Sequence, residues 1–412
     1  MFKNLLNVEE RNKIVFFPIL RFPGFEEEEW EVKKLGEIAN IYDGTHQTPK
    51  YTKEGVKFVS VENINDIENT NKFITPEAFQ KEYKIKPQKG DVLMTRITAG
   101  IIGATAIVKN NEPLGYYVSL ALIRTKVDVD TNFLAQRIET NQFKNQLHKR
   151  IIHVAFPKKI NLGDIQDCVT YFPSLVEQEK ISSLMSLIND RILLSMKIIE
   201  GLITVKNSVI NKIFDGKLKF TSEDYNSSDL ELKKLSEFLS IPPKIKPDEI
   251  DKEKLLTVKL HLKGVHKNEK SETLSIGATN YFVRKKGQFI YGKQNLFNGA
   301  FAIIPDCYDG FLSSADVPTL EINSEKLNGK YLFYLFSRES FYKKLEDIST
   351  GSGSKRIHES DLLKVKILVP SLVKQNKIVE FLSSFDEKII IEKDLLINYE
   401  NQKKYLLANL FI

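Results

Sequence analysis

Polar and basic side chains gather in short, turn-rich segments of this chain, and their chemistry suits contact with a polyanion. In the segment 43–51, which contains a glycine and a proline, the candidate contacts are Thr45, His46, Thr48, Lys50 and Tyr51. A second segment follows a predicted strand and offers Thr95, Arg96 and Thr98. An arginine in such a position could donate two hydrogen bonds to a guanine.

Two basic pairs occupy corresponding positions in the two halves of the chain. Lys158 and Lys159 precede an isoleucine, and Lys355 and Arg356 precede another one 197 positions later. Adjacent cations suit the clamping of phosphates, which positions a protein on nucleic acid without reading bases. Each segment could equally be a solvated loop. The other polar candidates in the second half are Tyr291, Lys293, Asn295 and Ser352.

The sequence contains no recognisable catalytic motif. The glycine-serine run that ends at Lys355 has the wrong spacing for a phosphate-binding P-loop, and no G-x-S-x-G nucleophile elbow occurs. The six histidines form no H-E-x-x-H motif, and Cys168 and Cys307 form neither a metal-binding pair nor a disulfide framework. The sequence therefore predicts a binding protein with no metal site and no catalytic residues.

The chain repeats itself at a nearly constant offset of 197 to 200 residues. In the longest repeated box, seven of nine positions are identical. Because three boxes recur in the same order, the protein is predicted to consist of two copies of one unit. The recurring boxes are 31–37 with 231–237, 89–90 with 286–287, and 173–181 with 370–378.

A long amphipathic segment begins at the end of each copy, with apolar residues at steps of three and four. Ser174 and Glu177 form a capping-box pattern, and Asp215-Gly216 predicts the end of the first helix. A helix of about forty residues, roughly 60 Å long, cannot bury its stripe alone, so the two are predicted to pair. The predicted packing residues are Ile181, Leu184, Ile188, Ile192 and Leu202, with Ile378, Phe381, Phe385, Ile389 and Leu406.

The segments between the boxes mix the two kinds of periodicity. Strands are predicted at 55–61, 91–95, 104–108, 288–291 and 300–304, and helices at 132–146 and 330–345. The expected fold is mixed α/β or α+β, with two similar globular domains joined by two long antiparallel, coiled-coil-like helices as a pseudo-two-fold repeat. The expected boundaries are an N-terminal extension 1–29, a first domain 30–174, a helix 175–215, a connector 216–230, a second domain 231–371 and a C-terminal helix 372–412.

Charge and composition point to the partner and the compartment. Of the 412 residues, 42% are apolar and 28% charged, which is typical of a soluble globular protein. No membrane span and no export signal is recognisable, so a cytoplasmic protein is expected. The excess positive charge lies in the globular parts: residues 30–172 hold 20 basic and 16 acidic residues, and 231–369 hold 23 and 18. Duplex DNA is the partner that this distribution favours.

Several boxes together resemble one known family. These are Arg21-Phe-Pro-Gly-Phe25 before Trp30, the Lys-Lys-Leu opening of each body, and the Pro-x₄-Gln-x₂-Ile box that closes each one. Over nearly the whole length the chain resembles the specificity subunit of a type I restriction–modification system. The resemblance implies two target-recognition domains, each of which binds half of a split DNA sequence, with paired helices that hold them apart.

The same resemblance implies partners and a cofactor that this chain does not hold. Two modification subunits, which bind S-adenosylmethionine and methylate adenine, would dock on the chain, and restriction subunits would join them. Since the segment 43–51 has no recognisable counterpart at 243–251, the target is expected to be asymmetric. The length of the helices is expected to set the spacer between the half-sites.

Two other functions stay open on the residues alone. A self-contained DNA methyltransferase or nuclease would need the active-site motifs that are missing here. A protein-binding scaffold with two adaptor modules would leave no sequence-specific DNA footprint, even with modification subunits present.

Overall fold

A computed structural model describes residues 17–218, 231–269, 279–351 and 354–411. The chain divides into two compact units, which we call unit 1 (Met1–Met196 with Asp394–Ile412) and unit 2 (Lys197–Lys393). Within the described residues, no helix has the length and apolar character needed to cross a membrane.

The helices of unit 1 are short, apart from the one that leaves it. They are α1 (Leu35–Ile38), α2 (Pro76–Glu82), α3 (Thr131–Glu139), α4 (Asn141–Arg150), α5 (Leu162–Gln166) and the start of α6 (Leu175–Phe214). The strands are β1 (Glu31–Lys34), β2 (Ala39–Asp43), β3 (Val56–Val59), β4 (Phe73–Ile74), β5 (Val92–Thr95), β6 (Ile97–Thr98), β7 (Thr105–Ile107), β8 (Leu114–Tyr116), β9 (Leu120–Thr125), β10 (Lys158–Lys159) and β11 (Val169–Phe172).

Unit 2 has a similar set of elements. Its strands are β12 (Glu231–Lys234), β13 (Leu239–Ser240), β14 (Leu256–Lys259), β15 (Gly264–Lys267), β16 (Tyr281–Val283), β17 (Phe289–Tyr291), β18 (Phe301–Ile303), β19 (Leu312–Ser314), β20 (Thr319–Ile322) and β21 (Lys366–Val369). Its helices are α7 (Gly329–Phe336), α8 (Glu339–Tyr342), α9 (Glu359–Leu362) and most of α10 (Leu372–Asn409).

The two units share the topology of their central sheets, which confirms the predicted repeat. The order is β2-β9-β5-β7 in unit 1 and β13-β20-β17-β18 in unit 2, with antiparallel neighbours in both. The register also corresponds, since Val92 pairs with Ile123 and Ile107 while Phe289 pairs with Leu320 and Ile303. In each unit the opening strand pairs with the closing one, β1 with β11 and β12 with β21.

The lysine-glycine box recurs because both of its glycines adopt a left-handed backbone conformation. Gly90 and Gly287 have φ angles of +93° and +79°, a region that side chains disfavour. Each donates its N–H to the carbonyl that follows the neighbouring strand of the sheet, Gly90 to Val108 after β7 at 2.9 Å and Gly287 to Ile304 after β18 at 2.8 Å. The same turn therefore precedes the same strand in both units.

The five predicted strands are confirmed, but each of the two predicted body helices is interrupted. In unit 1 the break between α3 and α4 falls at Thr140, whose ψ is 148° and whose hydroxyl accepts from the Phe143 N–H at 3.3 Å. In unit 2 it falls at Arg338, also extended, with ψ 123°. Apolar periodicity continues across both breaks, which is why the sequence pattern alone predicts one helix.

The glutamine of the repeated box joins each long helix to its body. Gln178 donates to the carbonyls of Pro173 and Asp128, and its side-chain oxygen accepts from the Asp130 N–H at 2.9 Å. In unit 2, Gln375 donates to the carbonyls of Pro370 and Lys326 and accepts from Asn328 at 2.8 Å. Both glutamines are buried, so each satisfies backbone groups that water cannot reach.

Both long helices are confirmed, and each contributes to both units. In the core of unit 1, Ile181 and Met185 from the start of α6 join Leu410 and Phe411 from the end of the chain. The first helix ends as predicted, since Gly216 is left-handed (φ +71°) and donates to the Ile213 carbonyl at 3.0 Å.

In the core of unit 2, the order of the helix ends is exchanged. Ile210 and Ile213 from the end of α6 join Ile378 and Leu382 from the start of α10, and Lys206 forms an ion pair with Asp386. This exchange of ends is what an antiparallel pair requires.

The predicted packing positions differ in burial. Phe381 is 38% exposed, whereas its neighbour Leu382 has no exposed surface. Phe381 instead makes an edge contact with Phe385, at 5.6 Å between ring centroids. The placements of the predicted positions are these: Ile181, Ile188, Ile378 and Ile389 are buried, and Leu184, Ile192, Leu202, Phe385 and Leu406 are half-buried.

Ser174 and Glu177 do not form the predicted capping box, because both side chains have other partners. The Ser174 hydroxyl donates to Glu28, and the Glu177 carboxylate accepts from Arg21 and from the Trp30 indole. A bidentate arginine is a stronger partner for a buried carboxylate than a single backbone N–H, and it lies outside the local sequence window in which a capping box is recognised.

Candidate nucleic-acid interface

The first basic pair lies on a short hairpin of unit 1. β10, which consists of Lys158 and Lys159, pairs antiparallel with β6, and the Ile152 N–H donates to the Lys159 carbonyl at 2.8 Å. Both lysine side chains are exposed, and neither forms an ion pair within the part of the chain that the structure describes. Their ammonium groups are therefore available to phosphates.

The second basic pair has the same backbone setting but different neighbours. The Thr350 N–H donates to the Arg356 carbonyl at 2.8 Å, which resembles the hairpin of unit 1 with one residue fewer between the bonded ends. Lys355 pairs with Glu346 at 2.6 Å, and Arg356 pairs with Asp316 at 3.1 Å. These pairs are exposed and hence weak, but phosphate would have to displace a carboxylate from each cation. Ser352 lies outside the described residues.

Two further candidate contacts, Arg96 and Lys293, bond to the hairpins through their backbone carbonyls. The backbone N–H of Ile160 donates to the Arg96 carbonyl at 3.0 Å, and that of Ile357 donates to the Lys293 carbonyl at 2.9 Å. Arg96 and Lys293 are thus equivalent positions.

Arg96 is buried, and three of its five N–H donors have partners in the protein. Its guanidinium bonds Asp43 at 2.8 Å and the carbonyls of Val118 and Ile160. Lys293 likewise forms an ion pair with Glu359 at 3.0 Å, with both side chains largely buried. In this arrangement neither cation is presented to a base, so the guanine contact suggested for Arg96 would require Asp43 to release it. Both residues hold the hairpin against the body instead.

The other candidates on the strand ends are also partly or fully internal. Thr95 is buried and donates to the Ile101 carbonyl at 2.7 Å, while Thr98 is half-buried and accepts from the Gly100 N–H at 2.9 Å. Tyr291 has no exposed surface and donates to the Ile357 carbonyl, and burial raises the pKa of its phenol far above the usual range. Tyr291 therefore cannot reach DNA without unfolding the core, because it is a core residue that supports the hairpin.

The segment 43–51 presents most of its polar side chains to solvent. Thr45 is the exception, since it is buried and donates to Glu82 at 3.2 Å. His46 is exposed and bonds Asp43 at 2.8 Å, and Tyr51 is exposed with its ring against Lys72. Thr48 and Lys50 are exposed. In unit 2 the candidate Asn295 is half-buried and accepts from the Asn298 side chain at 3.2 Å.

Sequence reasoning overlooked the cations next to the first hairpin. The last turn of α4 carries Lys149 and Arg150, and the hairpin follows directly. The signal was present, since residues 140–163 contain five lysines and arginines and not one aspartate or glutamate. A basic stretch of that length without an acidic residue is the electrostatic pattern of a phosphate-binding surface.

The described residues hold no group of three or more histidine, cysteine or acidic side chains that could bind a metal ion. Burial raises the pKa of the Cys168 thiol to about 11, so this cysteine carries no thiolate near neutral pH. The surfaces described above therefore offer binding chemistry, namely cations, hydroxyls and amides.

Comparison with solved structures supports the fold. The S subunit of a type I restriction–modification system from M. genitalium superposes with a TM-score of 0.60 at 14% identity, over 96% of this chain and 99% of that chain. A chain from a structure of complex assembly and conformational transition in the type I R-M system gives 0.54 at 13% identity, over 93% of this chain and 97% of that one. At these identities the likeness concerns the fold alone.

Comparison of sequences identifies the family. A protein named as the MjaX type I restriction enzyme specificity subunit of Methanocaldococcus jannaschii is 24% identical over 413 residues, which cover 92% of each chain. Residues 27–203 and 227–400 each match the family described as type I restriction modification DNA specificity domain, so the match is double and covers both units. On this double match, the chain belongs to the family of type I restriction–modification DNA specificity proteins.

Proposed function

We propose that this chain selects the DNA target of a type I restriction–modification complex, with each unit contacting one half of a split sequence. The observation that carries the proposal is that both units present a basic pair on a hairpin, and that the isoleucine after each pair bonds to an equivalent carbonyl, that of Arg96 or Lys293. The chain contributes recognition rather than catalysis. The target is asymmetric, because the exposed segment 43–51 has no counterpart in the second half.

The partners follow from the family. Two modification subunits dock on the chain and carry the S-adenosylmethionine, restriction subunits join them, and the complex works in the cytoplasm, where the DNA is. We assign the target-recognition domains to 30–174 and 231–371, and the helices that dock the partners to 175–215 and 372–412. The exposed apolar residues of α6 and α10 that face away from the cores of both units, such as Leu193 and Ile391, suit such docking.

The proposal is tested by mapping methylated adenines across the genome of cells that carry the modification gene together with this gene. We expect methylation at one split, non-palindromic motif. Cells with the same modification gene and a frameshifted copy of this gene should lack that methylation. An unchanged map would contradict target selection by this chain, and two identical inverted half-sites would contradict the asymmetry.

The first basic pair should contribute strongly to DNA affinity. We expect the double variant Lys158→Ala/Lys159→Ala, in complex with the modification subunits, to bind target and non-target DNA roughly tenfold more weakly, because each phosphate contact acts regardless of sequence. The slope of log affinity against log salt should decrease by about one to two. The measurement is a salt titration of binding by fluorescence anisotropy.

The matched control is the variant Lys355→Ala/Arg356→Ala. Since these cations already pair with Glu346 and Asp316, their removal should reduce the salt slope less. A salt slope that stays the same in the variant of unit 1 would show that Lys158 and Lys159 do not contact phosphates.

A further inference from the structure

The tip of the first hairpin exposes two large apolar side chains. Val154 is 98% exposed and Phe156 is 92% exposed, the two highest values among the large apolar side chains of the described residues. Single exposed apolar residues are common on protein surfaces. Here two such residues lie within three positions of each other at the tip of a turn. Together they form an apolar surface whose contact with water is unfavourable.

The tip is held by bonds at its base and by contacts of two of its own residues. The His153 ring contacts the His148 ring at 4.9 Å between centroids, and the Ala155 N–H donates to the Ile152 carbonyl at 3.4 Å. The Ile152 N–H donates to the Lys159 carbonyl at 2.8 Å, and the Lys158–Thr98 pairing joins the hairpin to β6. Below it, Ile160 is fully buried and donates its N–H to the Arg96 carbonyl at 3.0 Å. The turn that carries Phe156 is therefore anchored to the core of unit 1 through its base.

The stretch of chain that carries the tip is rich in cations. Lys158 and Lys159 follow Phe156 directly after one proline, and Lys149 and Arg150 end the helix that leads into the hairpin. The stretch 140–163 has no acidic residue. A polyanion would thus be drawn to this tip, and the apolar side chains would meet it first.

We propose that Phe156, assisted by Val154, inserts as a wedge between adjacent base pairs and unstacks them. This inference rests on the proposed function, because it names how unit 1 engages its half of the target. Apolar wedges flanked by cations kink a duplex, at a cost of a few kcal/mol per unstacked step that extra contacts offset. Since the cost depends on the step, insertion favours flexible pyrimidine–purine steps and contributes specificity without a hydrogen bond to a base.

Unit 2 lacks this device. At the positions of Val154 to Pro157 its sequence is Gly-Ser-Gly-Ser, 351–354, which offers no apolar side chain. The wedge therefore distorts only the half-site bound by unit 1. This difference provides an internal comparison, since the same complex carries one hairpin with the wedge and one without.

The test uses the complete complex with its modification subunits, bound to target duplexes. In each duplex, 2-aminopurine replaces one adenine, and its fluorescence increases when the base is unstacked. The adenines that the modification subunits methylate are left unlabelled, because methyltransferases extrude their target base and would brighten a probe there. Among the remaining positions, we expect one in the half-site of unit 1 to brighten on binding and none in the other half-site. The variant Phe156→Ser should lose that signal and bind about tenfold more weakly, as expected when a stacking aromatic is removed. Because Phe156 is almost fully exposed, the substitution should leave the fold intact.

The control is Val127→Ala, which removes another exposed apolar side chain (87%) and should change neither signal nor affinity. If the wild-type complex binds its target and no probe position other than a methylated adenine brightens, the wedge is wrong and DNA recognition stands. If Phe156→Ser keeps the signal, or loses the modification subunits in mass photometry instead of the signal, the wedge is also wrong. If the complex does not bind DNA, the proposed function fails and the wedge with it.

Discussion

Replacing Arg21 with alanine is expected to lower the free energy of unfolding of unit 1 by about 3–5 kcal/mol, because it leaves a buried carboxylate without its counter-ion. Glu177 has a side chain with no exposed surface, and Arg21 bonds its two oxygens at 2.9 Å each. The indole of Trp30 donates to the same carboxylate at 3.2 Å, which is too little to compensate for the lost charge.

The measurement is urea denaturation followed by tryptophan fluorescence. Trp30 is the only tryptophan of the chain and lies in unit 1, so it reports this unit alone. The matched control is Lys34→Ala, which breaks an ion pair of the same length, 2.9 Å to Asp167, whose side chains are more than half exposed. We expect that control to lower the free energy of unfolding far less, because an exposed ion pair contributes little to stability. Equal losses for both variants would mean that the burial of Glu177 does not matter.

Lengthening both long helices is expected to change the spacing of the DNA target without changing the bases recognised. The division between the units crosses α6 after Met196 and α10 after Lys393. Four helix-favouring residues inserted at each of these points lengthen each helix by about 6 Å, close to the rise of two base pairs. Neither core loses a residue, so on the proposed function both half-sites should stay the same.

Adenine-methylation mapping is the measurement for this variant, and we expect the same two half-sites separated by a longer spacer. A loop insertion serves as control: four residues added after Asn110, which is exposed in the turn between β7 and β8, should leave the spacer unchanged. An unaltered spacer in the helix variant would show that the long helices do not set it.

The repeat and the long helices could be predicted from sequence because their signals are local. Apolar steps of three and four continue for about forty residues, and only a helix places them on one stripe. The match of 173–181 with 370–378 required no knowledge of the fold. Its glutamines could be recognised as a motif, but their role could not, because the backbone groups that Gln178 and Gln375 satisfy lie some fifty residues away.

The candidate site was harder to predict because residue type does not tell which partner a side chain has found. Arg96 looked suited to a base, yet Asp43, 53 positions earlier, occupies its guanidinium. Tyr291 looked like part of a polar loop and is a core residue. Conversely, the exposure of Phe156 and Val154 could not be predicted, since an apolar residue in a sequence is expected to be buried.

By itself, the sequence determined that this protein is a duplicated unit with two long helices, a cationic surface and no visible catalytic motif. These properties are set by composition, period and internal identity, which do not depend on folding. Only the tertiary structure decided which cations are free, since Lys158 and Lys159 keep exposed ammonium groups while Lys355 and Arg356 are paired. The physical reason is that two charges form an ion pair only when they lie close together in space, and this distance cannot be read from their separation along the chain.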